Sequence, residues 1–167
     1  MKEGTFEKLL PQEVSERLLI SSVRVGEVYR MHLDEREKVK GKDFQDGGRN
    51  KYFIVLGHDL DGNALGFVLI DSEINPALPL KRKQLHYPLS AEKYVFLDGK
   101  NRFVDCSDLK EIAARRFKEL FSKDKAKGMI EEDDLILIRE AVISYEDVSP
   151  KLLKRFGLIQ EGNSAKR

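Results

Sequence analysis

The segment formed by residues 47–75 constrains the fold of this chain more than any other. Two short apolar runs, residues 52–56 and 65–70, are rich in the β-branched and aromatic residues that favour strands. Residues 61–63, Asp-Gly-Asn, separate the two runs and tolerate the positive φ angles of a tight turn. The pattern therefore predicts a β-hairpin.

The two ends of this hairpin carry polar residues that can act together. Arg49 and Lys51 lie at its entrance and Ser72 at its exit, and antiparallel pairing brings these ends close to each other. Arginine offers a planar fork that fits phosphate oxygens, whereas a partly desolvated lysine beside another cation exchanges protons more readily. These residue types also have structural roles, because cations protect strand edges from aggregation and serine commonly forms turns.

The composition limits the chain to a few classes of protein. With 167 residues, of which 41% are hydrophobic, the chain can bury one substantial core, and we expect one domain with a helical appendage. Its 30 basic and 29 acidic residues give a net charge of +1, so a polyanionic partner requires a local basic patch. The single cysteine, the lack of an apolar leader and the lack of an apolar run of about 20 residues predict a soluble, cytoplasmic protein.

Alternating apolar and polar residues predict several further strands. Residues 23–33 predict the first strand of a barrel, and residues 34–50 predict a long polar loop with three glycines. Residues 84–89 predict a short strand, and residues 94–97 and 102–106 flank a second Asp-Gly turn, which predicts a second hairpin. About five short strands at this spacing indicate a small antiparallel barrel.

Helical patterns lie on both sides of this barrel. Residues 11–20 place apolar residues at helical spacing after a proline, and a helix is expected after Ile112. Four acids at residues 131–134 are typical of a first helical turn, and Ser149 before Pro150 is typical of a helix start. We predict an N-terminal helical extension (residues 1–22), a barrel (residues 23–127), C-terminal helices packed on the barrel (residues 128–159) and a disordered tail (residues 160–167).

The order of four segments resembles the MazF/PemK family of toxin–antitoxin ribonucleases. Residues 26–29, Gly-Glu-Val-Tyr, are similar to the start of that family's first strand, and the long polar loop is similar to its first loop. Residues 48–56 resemble its Gly-x-Arg-Pro strand, and residues 104–112 resemble a later strand of the family. The resemblance implies a mainly β fold with α-helices, built as a small SH3-like antiparallel barrel. It also implies a homodimer that an antitoxin protein neutralises.

The same resemblance implies an activity and a set of catalytic residues. The family cleaves single-stranded RNA without a metal or other cofactor, through a 2′,3′-cyclic phosphate. Lys51 stands where the family has its catalytic arginine, and Arg49 lies two residues earlier on the same strand face, so either is a candidate for the catalytic cation. Ser72 is the hydroxyl nearest the family's catalytic threonine or serine, with Asn75 as a second candidate.

Basic residues interleaved with aromatic residues predict where RNA binds. Such residues occur in the long loop and again after the hairpin. The predicted RNA-binding residues are Lys38, Lys40, Lys42, Phe44, Asn75, Lys81, Arg82, Lys83, His86 and Tyr87. The alternative is that both segments are ordinary solvated loops, since acidic residues are mixed with the basic ones in the first of them.

Two other functions are compatible with these patterns. A barrel of the same fold without catalytic activity would bind nucleic acid or a protein partner. A protein-binding module would use the apolar residues of the last helix, Leu152, Leu153 and Phe156. His32, His58 and His86 lack the spacing of a metal site, so we expect no metal, and Cys106 is expected to be buried and inert.

Overall fold

The structure, a computed structural model, describes residues 11–41, 47–121 and 125–160. Lys42 and Phe44, which were predicted to bind RNA, lie outside the described residues. So do residues 1–10 of the predicted N-terminal extension and all of the predicted tail after Gln160.

One antiparallel sheet organises the described part of the chain. Its strands are β1 (Glu27–Leu33), β2 (Arg49–His58), β3 (Ala64–Asp71), β4 (His86–Leu89), β5 (Arg102–Asp105), β6 (Lys110–Ala113) and β7 (Gly128–Met129). The strand order is β4-β5-β3-β2-β1-β7, and β6 also pairs with β3. β2 and β3 are therefore the central strands, and the hairpin predicted for residues 47–75 is confirmed.

The sheet curls into a half-barrel because strand β3 has two partners along one edge. Ile70 and Asp71 pair with β5, whereas residues 64–67 pair with β6. A register shift between Val55 and Gly57 further bends the β2–β3 pair, as bulges do. The result is a mixed α/β fold with a curled antiparallel sheet, consistent with the small barrel that the sequence predicts.

Five α-helices surround the sheet within the described residues. They are α1 (Gln12–Ser22), α2 (Leu80–Gln84), α3 (Ala114–Phe121), α4 (Glu132–Ser144) and α5 (Pro150–Arg155). The predicted helix over residues 11–20 is confirmed, as is the change from strand to helix after Ile112. The predicted start of the last helix is also confirmed, because Ser149 Oγ accepts a hydrogen bond from the backbone N–H of Leu152.

Each face of the sheet covers a separate group of buried apolar residues. Alternate residues of the central strands contribute to each group: Ile54 and Val68 pack on one face, and Val55 and Phe67 pack on the other. The first face is covered by α4 and α5, and the second by α1 and α3. The central strands are buried on both sides and form a rigid base for the polar residues at their ends.

The predicted second hairpin is wrong. Residues 95–97 form a short 3-10 helix rather than a strand, and β5 pairs with β4 instead. The cause lies in contacts that are distant in sequence, since the hydroxyl of Tyr94 donates to Asp134 and accepts from the backbone N–H of Glu131. These contacts direct the Asp-Gly segment away from the sheet.

Two smaller differences concern boundaries. The first strand begins at Glu27, so Val23 and Val25 precede it. The barrel boundary predicted after residue 127 falls directly before β7, which pairs with β1 in the same sheet. None of the helices within the described ranges is long and apolar enough to cross a membrane.

Candidate functional site

Two cavities open at the free end of the β2–β3 hairpin, one on each face of the sheet. The His86 groove has a volume of about 600 Å³ and includes Lys38, Asp71, Asn75, Arg82, His86, Asp105 and Lys110. The Tyr52 basin has a volume of about 740 Å³ and includes Arg30, Tyr52, Phe96, Asp98, Arg102 and Lys127. Arg49, Lys51 and Ser72 line both cavities, so all three predicted catalytic residues lie where the cavities meet.

An ion pair between Lys51 and Asp71 forms the centre of this junction. The ammonium of Lys51 donates to Asp71 Oδ1, and the side chains are 10% and 22% exposed. The two residues are brought together by strand pairing, because the next residue pair along the hairpin is Tyr52 with Ile70. A proton donor and a proton acceptor are thus held in contact and partly shielded from water.

Arg49 and Ser72 lie beside this pair and are both exposed. Among the described residues, neither side chain has an ion pair or a hydrogen bond. The guanidinium and the hydroxyl are therefore free to bind a ligand that occupies the junction. Strand pairing again explains the proximity, since Ser72 directly follows the last residue of β3 and Arg49 is the first residue of β2.

A hydrogen-bonded network of polar and charged residues lies at the His86 groove. Arg82 Nε donates to Ser107 Oγ at 2.8 Å, and Ser107 Oγ donates to Asp105 Oδ1 at 2.6 Å. His86 Nδ1 lies 2.8 Å from the backbone oxygen of Arg82 and donates to it. The other ring nitrogen, Nε2, points toward Asp105 Oδ1 at 3.8 Å.

Asp71, His86 and Asp105 form the group within the described residues that comes nearest to a metal site. One ligand atom from each lies within 4.8 Å of the others. However, Lys51 already neutralises Asp71, and the guanidinium of Arg82 lies 3.5 Å from Asp105 Oδ2. A metal ion would have to compete with these two cations, so the group fits an internally balanced ion-pair network better than an open metal centre.

The Tyr52 basin has a different chemical character. The guanidinium carbons of Arg30 and Arg102 lie 5.7 and 5.3 Å from the centre of the Tyr52 ring, within cation–π distance. Phe96 also contacts this ring, with 6.2 Å between ring centres. The basin is therefore built around one tyrosine that positions two arginines beside an aromatic neighbour.

The basin is also strongly basic. Five basic side chains line it, and Asp98 is the carboxylate among its lining residues. The basic residues are Arg30, Arg49, Lys51, Arg102 and Lys127. Apart from Lys51, none of them forms an ion pair with a described residue, and Arg102 Nε is buried without a hydrogen-bond partner.

Five of the predicted RNA-binding residues line the His86 groove. They are Lys38, Lys40, Asn75, Arg82 and His86. Lys81 points elsewhere, because it forms an ion pair with Glu146 and lies over the ring of Tyr145. Lys83 is half-buried and lines neither of the two cavities.

Tyr87 lies on the opposite face of β4 from His86, because side chains alternate along a strand. Its hydroxyl donates to Asp134 Oδ1 at 2.5 Å and thereby ties β4 to helix α4. Burial, together with this hydrogen bond, raises the pKa of Tyr87 to about 12. The structure thus places this residue in a helix-to-sheet contact and outside both cavities.

Cys106 is fully buried, as expected from its position at the end of an apolar strand. Burial, followed by the neighbouring charge of Asp105, raises the pKa of its thiol to about 12. The thiol is therefore protonated at neutral pH and unsuited to act as a nucleophile.

Sequence reasoning missed the residues of the site that come from other strands. Arg30 lies directly opposite Tyr52 on β1, and Arg102 reaches the basin from β5. Asp71 is not among the predicted site residues, although its position opposite Lys51 follows from the hairpin register. The register of the predicted hairpin was therefore the signal that could have identified it.

Comparison of the sequence with known proteins assigns no family to this chain, since no protein-family model matches it and no curated protein is significantly similar to it.

Proposed function

We propose that this protein is a metal-independent endoribonuclease that cleaves single-stranded RNA, as its resemblance to the MazF/PemK toxins implies. The observation that supports this function most directly is the Lys51–Asp71 ion pair at the junction of the two cavities. A proton donor and a proton acceptor are in contact there, beside Arg49 and Ser72, whose side chains have no ion pair or hydrogen bond with any described residue. Cleavage of RNA by its own 2′-hydroxyl requires these kinds of group.

The proposed reaction transfers two protons. The 2′-hydroxyl of the RNA attacks the adjacent phosphorus while the carboxylate of Asp71 accepts its proton. The bond from phosphorus to the 5′ oxygen breaks as the ammonium of Lys51 donates a proton to that oxygen. The products are a 2′,3′-cyclic phosphate and a 5′-hydroxyl. Because Lys51 and Asp71 are hydrogen-bonded, the proton on Asp71 then returns to Lys51 and restores the pair.

The two remaining residues bind the phosphate. The guanidinium of Arg49 forms two parallel hydrogen bonds with the non-bridging oxygens and stabilises the charge that develops on them. The hydroxyl of Ser72 donates a further hydrogen bond to the same group. The resemblance also leads us to propose that the protein acts in the cytoplasm as a homodimer and that an antitoxin protein inhibits it.

Cleavage of a mixed-sequence single-stranded RNA in the presence of EDTA tests this proposal. We expect the wild type to yield products that end in a 2′,3′-cyclic phosphate. Lys51→Met, Asp71→Asn and Arg49→Ala should each lower the rate by a factor of about 10² or more, since each removes a group that acts in the transition state. Arg115→Ala is the matched control, because Arg115 is an exposed arginine on α3 that lines neither cavity.

Equal rates for the wild type and the junction variants would rule out the proposed site. Binding of RNA without any product, with an affinity that falls steeply as salt is added, would instead favour the non-catalytic nucleic-acid-binding barrel. In that case the Lys51–Asp71 pair would be a structural ion pair.

A further inference from the structure

The Tyr52 basin concentrates positive charge that forms few ion pairs within the described part of the chain. Arg30, Arg49, Arg102 and Lys127 reach it from four separate segments of the chain. Like charges that converge in this way repel one another and destabilise the folded state unless an anion binds among them. Within the described residues, the carboxylate that lines the basin is that of Asp98. The charge balance therefore favours an anionic ligand.

The guanidinium of Arg102 provides a second and independent indication. It makes no hydrogen bond to a described residue, and its Nε is buried without a partner. An unsatisfied buried donor destabilises the folded state, so proteins rarely retain one without a reason. Its position over the Tyr52 ring, 5.3 Å from the ring centre, holds the group at the wall of the basin. A phosphate in the basin would accept hydrogen bonds from the terminal nitrogens of this guanidinium, which have no hydrogen-bond partner among the described residues.

The residues at the rim of the basin indicate which chemical group accompanies the phosphate of the expected ligand. Val95 is 90% exposed although it is apolar, and the half-buried Phe96 follows it. A free inorganic anion gains nothing from apolar neighbours, whereas a nucleotide presents a flat base next to its phosphate. The combination of arginines, an aromatic ring and an exposed apolar residue thus fits a nucleotide better than a bare anion.

We propose that the Tyr52 basin is a nucleotide-binding subsite, in which the arginines beside Tyr52 bind the phosphate backbone and the apolar rim holds an adjoining base. This inference rests on the proposed function for the nature of the strand. Arg49, Lys51 and Ser72 line both cavities, so a strand that leaves the Lys51–Asp71 pair enters the basin directly. The RNA then passes around the open end of the hairpin, from one face of the sheet to the other.

The test uses a fluorescently labelled pool of short, single-stranded 2′-O-methyl RNA. These oligonucleotides cannot be cleaved because their 2′-oxygens are blocked, so binding is measured separately from catalysis. In fluorescence anisotropy, Arg30→Gln and Arg102→Gln should each weaken binding about tenfold. Each should also reduce the slope of log affinity against log salt by about 0.7, the value for one lost phosphate contact on a single strand.

Three further measurements keep the inference open to contradiction. Arg115→Gln is the control, and it should change neither the affinity nor the slope. Lys127→Gln provides a second variant if loss of the Arg102 side chain impairs folding, as judged by circular dichroism. Sedimentation of each variant shows whether the oligomeric state has changed.

The possible outcomes separate this inference from the proposed function. Wild-type binding by the basin variants would overturn the subsite, even if the wild type cleaves RNA. Basin-dependent binding by a protein that leaves unmodified RNA intact would support the subsite and contradict the endoribonuclease. A change in oligomeric state without a change in RNA affinity, or tighter binding of an acidic peptide than of RNA, would overturn the subsite in favour of a protein interface.

Discussion

Lys51 and Tyr52 are consecutive residues that serve opposite faces of the sheet. Lys51 forms its ion pair with Asp71 where the two cavities meet, whereas Tyr52 lies in the Tyr52 basin against two arginines. The face of the sheet on which each side chain lies depends on the register of β2, because a slip of one residue would exchange the faces of both side chains. Buried residues on both sides of the same strand prevent such a slip. The polar site is thus positioned by the apolar residues that follow it in the sequence.

Asp134 is the residue that most clearly links helix α4 to the sheet. Its carboxylate accepts hydrogen bonds from the hydroxyls of Tyr87 and Tyr94 and lies 2.9 Å from the ammonium of Lys93. Burial alone would raise the pKa of Asp134, but the two hydroxyls and the ammonium outweigh it and lower the pKa. The charged form of this side chain therefore stabilises the folded state.

We expect Asp134→Asn to lower the free energy of unfolding by about 2 kcal/mol at neutral pH, because charge-assisted hydrogen bonds become neutral ones. An aspartate in an unfolded chain has a pKa of about 3.9. Since the folded pKa is lower, this stabilisation is complete above that value and is lost as the pH falls through the folded pKa. Urea denaturation between neutral pH and about pH 3 should show a smaller loss of stability in the variant than in the wild type.

Glu132→Gln is the control for this measurement, because Glu132 is an exposed acid in the same helical turn. It should leave both the stability at neutral pH and its decline in acid nearly unchanged. Identical acid dependence in Asp134→Asn and the wild type would contradict the role assigned to the carboxylate.

The sequence predicts which residues lie together in the site only where one tight turn connects their strands. Arg49, Lys51 and Ser72 could be placed together because a hairpin of known register connects them. Arg30, Arg102 and Lys127 could not, because their proximity depends on the order of strands in the sheet. Local patterns in a sequence indicate strands but carry little information about which distant strands become neighbours.

At the level of elements, Phe156, which directly follows helix α5, packs this end of the chain against the sheet. Phe156 packs over Gly57 and Gly66, which are directly opposite each other in the β2–β3 pair. A β-carbon at Gly66 would lie 2.6 Å from Cγ of the Phe156 ring. A β-carbon at Gly57 would lie 1.9 Å from the backbone oxygen of Phe156. The two glycines leave space for Phe156, and a side chain at either position would collide with it.

We therefore expect Gly66→Ala to destabilise the fold by about 2 kcal/mol, the usual cost of overpacking. Gly57→Ala should cost more, because the backbone of Phe156 has to move rather than a side chain alone. Urea denaturation measures both changes. In the double variant Gly66→Ala, Phe156→Ala the clash is absent, so the combined cost should be smaller than the sum of the single costs. Additive costs would show that the glycine and the ring do not contact each other.

Elements were predicted correctly where the periodic pattern is long or the cap is strong. The hairpin of β2 and β3 and the start of α5 at Ser149 are examples. The segment of residues 94–97 was predicted as a strand because an Asp-Gly turn follows it. Its true conformation depends on Asp134, about 40 residues away. A turn pattern in the local sequence therefore does not determine the conformation of a segment that is hydrogen-bonded to a distant helix.

For the whole molecule, the central question is whether the two apolar clusters on the two faces of the sheet unfold together. Strands β2 and β3 contribute alternate residues to both clusters, so neither cluster can open without exposing strands that the other one needs. The C-terminal helices bury Ile138, Val142 and Leu153 against one face and are part of its core. Unfolding should accordingly be a single cooperative transition, despite the apparent division into a barrel and appended helices.

Paired substitutions on the two faces test this cooperativity. Ile138→Ala and Phe117→Ala remove fully buried side chains from opposite faces, and each should cost about 3–4 kcal/mol. Hydrogen exchange read by mass spectrometry, at increasing urea, should show β2, β3, α3 and α4 losing protection at one common midpoint in both variants. Ile136→Ala is the matched control, since Ile136 lies on the same helix but is 47% exposed. If Ile138→Ala instead released α4 and α5 while α3 stayed protected, the helices would be a separate folding unit. The strands would then not couple the two faces.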